Sequence, residues 1–181
     1  FLKSPVGQMF HQFFGENMVR ADVCNAVDEL GQLLDHTGPV AASERNAARI
    51  FNADHLFFVT NGTSTSNKIV WHSTVAPGDI VLVDRNCHKS ILHAIMMTGA
   101  IPVFLMPTRN HYGIIGPIPK EEFDWKNIQK KIQNNPFITD KNAKPRVLTI
   151  TQSTYDGVLY NVEMIKEMLD GKVDTLHFDE A

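Results

Sequence analysis

Three polar motifs in this sequence carry side chains that can do chemistry, and each directly follows an apolar run. Asn61-Gly62-Thr63-Ser64-Thr65-Ser66 precedes a helical pattern. Unpaired N–H groups and the positive dipole end make a helix start attractive to phosphate. Thr63 and Ser64 add hydroxyl donors there, and Gly62 lets the backbone come close. The same residues are equally those of an ordinary Ser/Thr helix cap. Neither the nucleotide P-loop nor the G-x-G-x-x-G fingerprint is present. Asp84-Arg85-Asn86-Cys87-His88-Lys89-Ser90 is the second motif. His88 is suited to act as a general base, a metal ligand or a flat platform for a ring. Cys87, His88 and His93 form no closed zinc set, and a fourth ligand is not apparent. In His177-Phe178-Asp179-Glu180-Ala181, Asp179 suits a metal or a cationic ring nitrogen, or a helix N-cap. A further polar turn, Ser153-Thr154-Tyr155-Asp156-Gly157, brings hydroxyls and a glycine suited to positive φ.

The elements that must position these motifs alternate. Apolar runs of strand length fall at residues 56–60, 80–83, 101–105, 147–151 and 175–178. Helical patterns lie between them at 66–75, 89–98, 121–134 and 162–169. Strands separated by helices imply parallel pairing. The near-continuous apolar runs suit strands covered on both faces. The expected architecture is α/β, with three layers and a mostly parallel sheet between helices on both faces. Ligands bind such sheets beyond the carboxyl ends of the strands, where all the motifs above fall.

The first fifty residues read as mainly helical after an irregular lead-in through Gly15. Val27, Leu30, Leu33 and Leu34 recur at helical spacing, Asp35 to Pro39 break the chain, and residues 41–51 form an alanine-rich helix. Residues 134–145 read as a surface loop.

Composition narrows the function classes. The chain has 181 residues, 43% hydrophobic and 20% charged, with a net charge of -3. No Lys/Arg block is present to neutralise a phosphate backbone, which disfavours a nucleic-acid partner. No apolar segment reaches membrane-spanning length and no secretory signal is visible, so no membrane partner is expected. Two cysteines, Cys24 and Cys87, make no disulfide framework, and a reducing cytoplasm is the expected setting. The start on Phe1 and the stop after Asp179-Glu180-Ala181 suggest a piece of a longer polypeptide.

Taken in order, "ELGQLLDHTGP", "VTNGTSTSNK", "DRNCHKS", "PTRNHYGIIGPI", "STYDGVLYN" and "HFDEA" closely resemble the large domain of the bacterial lysine/arginine/ornithine decarboxylases. These are pyridoxal-phosphate enzymes of the aspartate-aminotransferase fold type. The resemblance implies pyridoxal 5'-phosphate as cofactor and a basic amino acid as substrate. It implies that Thr63 and Ser64 bind the cofactor phosphate, His88 stacks on the pyridine ring and Asp179 pairs with the ring nitrogen. Ala181 would pack on the opposite ring face, and Thr154 would lie near the phenolic edge. It also divides the chain into a helical N-terminal part of the large domain, 1–52, and an α/β cofactor-binding part, 53–181. The family's Schiff-base lysine follows the "DEA" segment, so it is expected beyond Ala181, with Lys89 structural or solvent-facing. The chain by itself is then expected to be inactive. Family members assemble as homodimers or larger homo-oligomers. Two other readings stay open: another enzyme of this fold type, an aminotransferase or lyase, or a scaffold that has lost the chemistry.

Overall fold

The computed structural model describes residues 3–21 and 28–180. It divides into two compact units, residues 1–58 and residues 59–181.

In the first unit, helix α1 spans Pro5–Arg20. Ser4 caps it by accepting from the Gly7 N–H, and Pro5 sits where its fixed φ suits a first turn. The expected irregular lead-in is therefore helical, and Gly15 interrupts the helix at φ 77° rather than preceding it. Helix α2 spans Gly38–Ile50, starting before the expected residue 41 because Pro39 also favours a first turn. The helix suggested by Val27, Leu30, Leu33 and Leu34 is not seen where the chain is described. Val27 lies outside the described residues, Asp28–Leu30 form one 3-10 turn, and turns follow. Gly31 accounts for this. Its φ is +72°, and a Cβ there would lie 2.1 Å from the Thr37 carbonyl oxygen. Helical periodicity cannot continue through a residue held left-handed against a returning chain.

The strand expected at 56–60 does not form either. The Phe58 N–H donates to Glu44 Oε1 at 3.0 Å instead of to a sheet partner. Glu44 also accepts from or pairs with His36 Nδ1 at 2.8 Å. The Phe58 N–H bond, followed by the His36 contact, holds the Glu44 carboxyl below its ordinary range against the opposing effect of burial.

The second unit holds the sheet. Helix α3 spans Thr63–Thr74, β1 Ile80–Asp84, α4 Lys89–Thr98 and β2 Ile101–Leu105. Then come α5 at Trp125–Asn134, β3 at Val147–Thr151, α6 at Val162–Leu169 and β4 at Thr175–Asp179. The helix expected from residue 121 is split: Lys120–Phe123 is a 3-10 turn, and Asp124 caps α5 by accepting from the Lys126 N–H.

All pairings in the four-stranded sheet are parallel, in the order β2-β1-β3-β4. The side chains of β1 alternate as a pleated strand requires. Ile80 and Leu82 pack in one cluster with Ile128 and Ile132 of α5 and Ile165 and Leu169 of α6. Val81 and Val83 pack in the other with Trp71 of α3 and Ile91, Ala94 and Ile95 of α4. The three-layer α/β arrangement is thus present, with helices on both faces. The chain moves from β1 outward to β2, then returns past β1 to β3, so the strand order reverses between β1 and β3.

Candidate functional site

That reversal opens a crevice at the carboxyl ends of the strands, the place where parallel sheets bind ligands. A cavity of about 430 Å³ lies there. Asn86, Cys87, His88 and Lys89 line it from the turn after β1. Thr151, Ser153, Thr154 and Tyr155 line it from the end of β3, and Asp179 from the end of β4. A larger groove of about 790 Å³ runs beside the edge strand β2, but its lining is mainly apolar. Its one ionisable group, Lys131, is engaged by Glu122 and the Phe104 carbonyl. The smaller cavity is the one where several groups with chemistry converge.

Asp179 is 4% exposed. Pairing with β3 sets it opposite Thr151, on the sheet face covered by α3 and α4. Its Oδ2 accepts from Asn67 Nδ2 at 3.0 Å. Its Oδ1 is buried and has no hydrogen-bond partner among the described residues. A buried carboxylate oxygen without a donor is costly, and a protonated ring nitrogen is a partner that would satisfy it. Thr151 Oγ1, also in the lining, is likewise unpartnered.

His88 is the N-cap of α4. Its Nδ1 accepts from the Ser90 N–H at 3.2 Å and lies 2.9 Å from Ser90 Oγ. The ring is otherwise exposed at the cavity, as a stacking platform must be. Thr154 lines the same cavity. Its hydroxyl accepts from the Val158 N–H at 3.1 Å, closing a turn in which Gly157 takes φ +79° as its residue type suggests. Lys89 is exposed and reaches the cavity edge.

Thr63 and Ser64 open α3 and are exposed. The N-cap is Gly62, at φ 80°, and it makes no side-chain capping bond. The Ser/Thr cap expected from composition is therefore not made by Thr63 or Ser64. Neither residue lines the cavity; Thr63 lies one helical turn before Asn67, which reaches Asp179. Ala181 lies outside the described residues.

Burial dominates the electrostatics around the strand ends. Burial pushes the Asp84 carboxyl up, against hydrogen bonds from the Asn86 and Thr151 N–H groups. Burial, with the Asp84 charge second, pushes the Cys87 thiol up to about 11. Burial lowers His177, against the raising influence of Asp179. Thr149 Oγ1 accepts from Trp71 Nε1 at 3.2 Å, which leaves its proton for His177 Nδ1 at 3.1 Å.

Sequence reading missed three site residues: Asn67, Ser90 and Thr151. The signal for Asn67 was present but faint. It shares one α3 face with Trp71, four positions on, and a polar side chain on a buried face needs a partner.

A parallel α/β unit with a polar crevice at its strand-order reversal is a domain of the doubly wound class. The chain belongs to the ornithine/lysine/arginine decarboxylase family: it matches the model described as "Orn/Lys/Arg decarboxylase, major domain" over residues 1–181. It is 62% identical over 179 residues to the lysine decarboxylase LdcA of Pseudomonas aeruginosa, covering 99% of this chain and 24% of that protein. It is 47% identical over 182 residues to the biodegradative arginine decarboxylase of Escherichia coli, covering 100% of this chain and 24% of that protein. The solved structure of lysine decarboxylase A from Pseudomonas aeruginosa superposes with a TM-score of 0.90 at 61% identity, over 98% of this chain and 24% of that one. The chain thus spans about a quarter of the length of the relatives it matches.

Proposed function

We propose that the full-length protein is a pyridoxal-phosphate-dependent decarboxylase of a basic amino acid, with lysine or arginine as first candidates and ornithine next. The observation that carries the reading is the buried, unpaired Oδ1 of Asp179, in a cavity also lined by His88 and Thr154. The residues present fit the cofactor. Asp179 would accept from the ring N–H and favour its protonated form. His88 would lie against the ring, and the first turn of α3, with the Thr63 and Ser64 hydroxyls, would take the phosphate. Thr154 would neighbour the phenolic edge, and Ala181 would follow Asp179 toward the other ring face. When bound, pyridoxal phosphate draws off the electron pair left as the substrate's α-carboxylate departs as carbon dioxide.

The chain's own part is binding and orientation. The strand ends hold Asp179 buried at the floor of the cavity, where its charge acts more strongly than in bulk solvent. The first turn of α3 holds the anionic end by backbone N–H groups that need no reorganisation. Lysine comes first because the more similar of the two relatives above is a lysine decarboxylase. A cytoplasmic setting and a homodimeric or larger assembly belong to the same reading.

The test is product identification. Purified full-length protein, with added pyridoxal phosphate, is given lysine, arginine and ornithine separately. The expected result is carbon dioxide and the matching diamine or agmatine. Keto-acid formation would move the reading to an aminotransferase. A protein that binds the cofactor with none of these products, or fails to bind it, would overturn the assignment.

A further inference from the structure

Asp179 and His88 stand at the ends of two different elements, β4 and the turn after β1. One amide joins them. Asn67 Nδ2 carries two protons and no acceptor. It lies 3.0 Å from Asp179 Oδ2 and 3.0 Å from Ser90 Oγ. An ionised carboxylate only accepts, so the amide must turn its NH₂, not its oxygen, toward Asp179. The second proton then goes to Ser90 Oγ. With that oxygen accepting, the Ser90 O–H is free to donate to His88 Nδ1 at 2.9 Å, beside the Ser90 N–H at 3.2 Å. Two donors on Nδ1 place the proton of the neutral imidazole on Nε2. Asn67 and Ser90 are each only 2% exposed, so water does not substitute for either.

We infer that Asn67 is a positioning residue that uses one amide group to do two things. It holds the Asp179 carboxylate with Oδ1 left for the cofactor's ring nitrogen, and through the Ser90 hydroxyl it adds a second hold on the orientation of His88, whose Nδ1 already accepts from the Ser90 N–H. The inference rests on the pyridoxal-phosphate reading above. It makes the ring-nitrogen contact and the stacking contact a single unit, set by a residue that touches neither the substrate nor the reacting atoms.

The experiment uses full-length protein and pyridoxal phosphate itself. Asn67→Leu and Asn67→Asp keep the shape of the side chain, but the first removes both donors and the second sets a like charge beside Asp179. Cofactor dissociation constants are measured by equilibrium dialysis, and the absorption spectrum of the bound cofactor is recorded. A donor role predicts affinity weakened about tenfold or more in both variants, since hydrogen bonds to charged groups are among the stronger ones, together with a shifted spectrum. A packing role predicts that both near-isosteric variants keep wild-type affinity and spectrum, which would overturn the inference. Trp71→Phe is the control. It removes a buried hydrogen bond to Thr149 one turn along the same helix, and is expected to lower stability without shifting the spectrum. If the Asn67 variants fail to fold, Ser90→Ala decides. It removes the hydroxyl that links Asn67 to His88 while leaving the Asn67–Asp179 bond and the Ser90 N–H on His88 Nδ1, and should weaken affinity several-fold with the spectrum kept, whereas unchanged affinity sinks the idea. Wild-type protein that retains no pyridoxal phosphate would instead overturn the functional reading.

Discussion

At the residue scale the site is a set of polar atoms whose partners are counted out closely. Asp179 has one oxygen satisfied by Asn67 and one without a partner among the described residues, and the proposed function gives that remainder to the cofactor's ring N–H. Asp179→Asn keeps the shape and removes the charge. In the full-length protein it is expected to lower kcat by about a hundredfold or more, the scale seen when a group that stabilises developing charge is lost. Steady-state assays on the preferred substrate check this. Cys87 illustrates the opposite outcome. It lines the same cavity, yet burial and the Asp84 charge push its thiol up to about 11, so little thiolate exists near neutrality. Maleimide labelling followed by mass spectrometry should find Cys87 slow to react at about pH 7.5 and faster only as the pH approaches that value.

At the element scale, two glycines show how local conformation decides where elements begin and end. Gly31 holds positive φ against the Thr37 carbonyl, and a methyl group there would be in hard contact with backbone. Gly31→Ala is expected to cost about 2 to 4 kcal/mol through strain and displacement of the turn before α2. Limited proteolysis between α1 and α2, with a lowered thermal midpoint, reads this out. Gly62 also holds positive φ, but a Cβ there would meet nothing within 4 Å. Gly62→Ala therefore carries only the backbone term, about 1 to 3 kcal/mol, because φ 80° with ψ 172° is a conformation almost confined to glycine. The same thermal measurement is expected to show the larger loss in Gly31→Ala. The helix starts follow the same logic. Ser4, His88, Asp124 and Asn161 each accept from a first-turn N–H, whereas α3 begins at Gly62 with no side-chain cap. Helix α2, entered through Thr37, likewise starts without a side-chain capping bond.

For the molecule as a whole, the sheet buries ionisable groups together with its apolar layers. Asp84, at the end of β1, is fully buried, and one of its oxygens has no partner among the described residues. Its carboxyl is raised above the ordinary 3.8, mainly by desolvation. The folded chain therefore keeps a proton over a window in which the unfolded chain has lost it, and stability falls as pH rises through that window. Asp84→Asn removes the charge and should raise the thermal midpoint near pH 7, with the gain vanishing by about pH 3, where both states are largely protonated. Thermal midpoints at the two pH values test the sign.

Much of this protein was legible in its residues. Continuous apolar runs gave away strands β1 to β4, because a strand covered on both faces has no polar side to show. Helices α4 and α6 fell where their apolar spacing put them, since local periodicity and caps act within a few residues. The strand-end positions of His88, Asp179 and Thr154 followed from chain order alone. The run at residues 56–60 misled because strand formation depends on a partner, and the Phe58 N–H found the Glu44 carboxylate instead. The helix expected around Leu30 failed because the turn at Gly31 depends on the returning backbone of Thr37. Only the tertiary structure decided that Asn67, Ser90 and His88 form one hydrogen-bonded chain with Asp179, a residue 112 positions from Asn67. Hydrogen bonds are short-ranged and directional, so which polar groups meet is set by how the sheet and helices pack, not by their spacing along the chain.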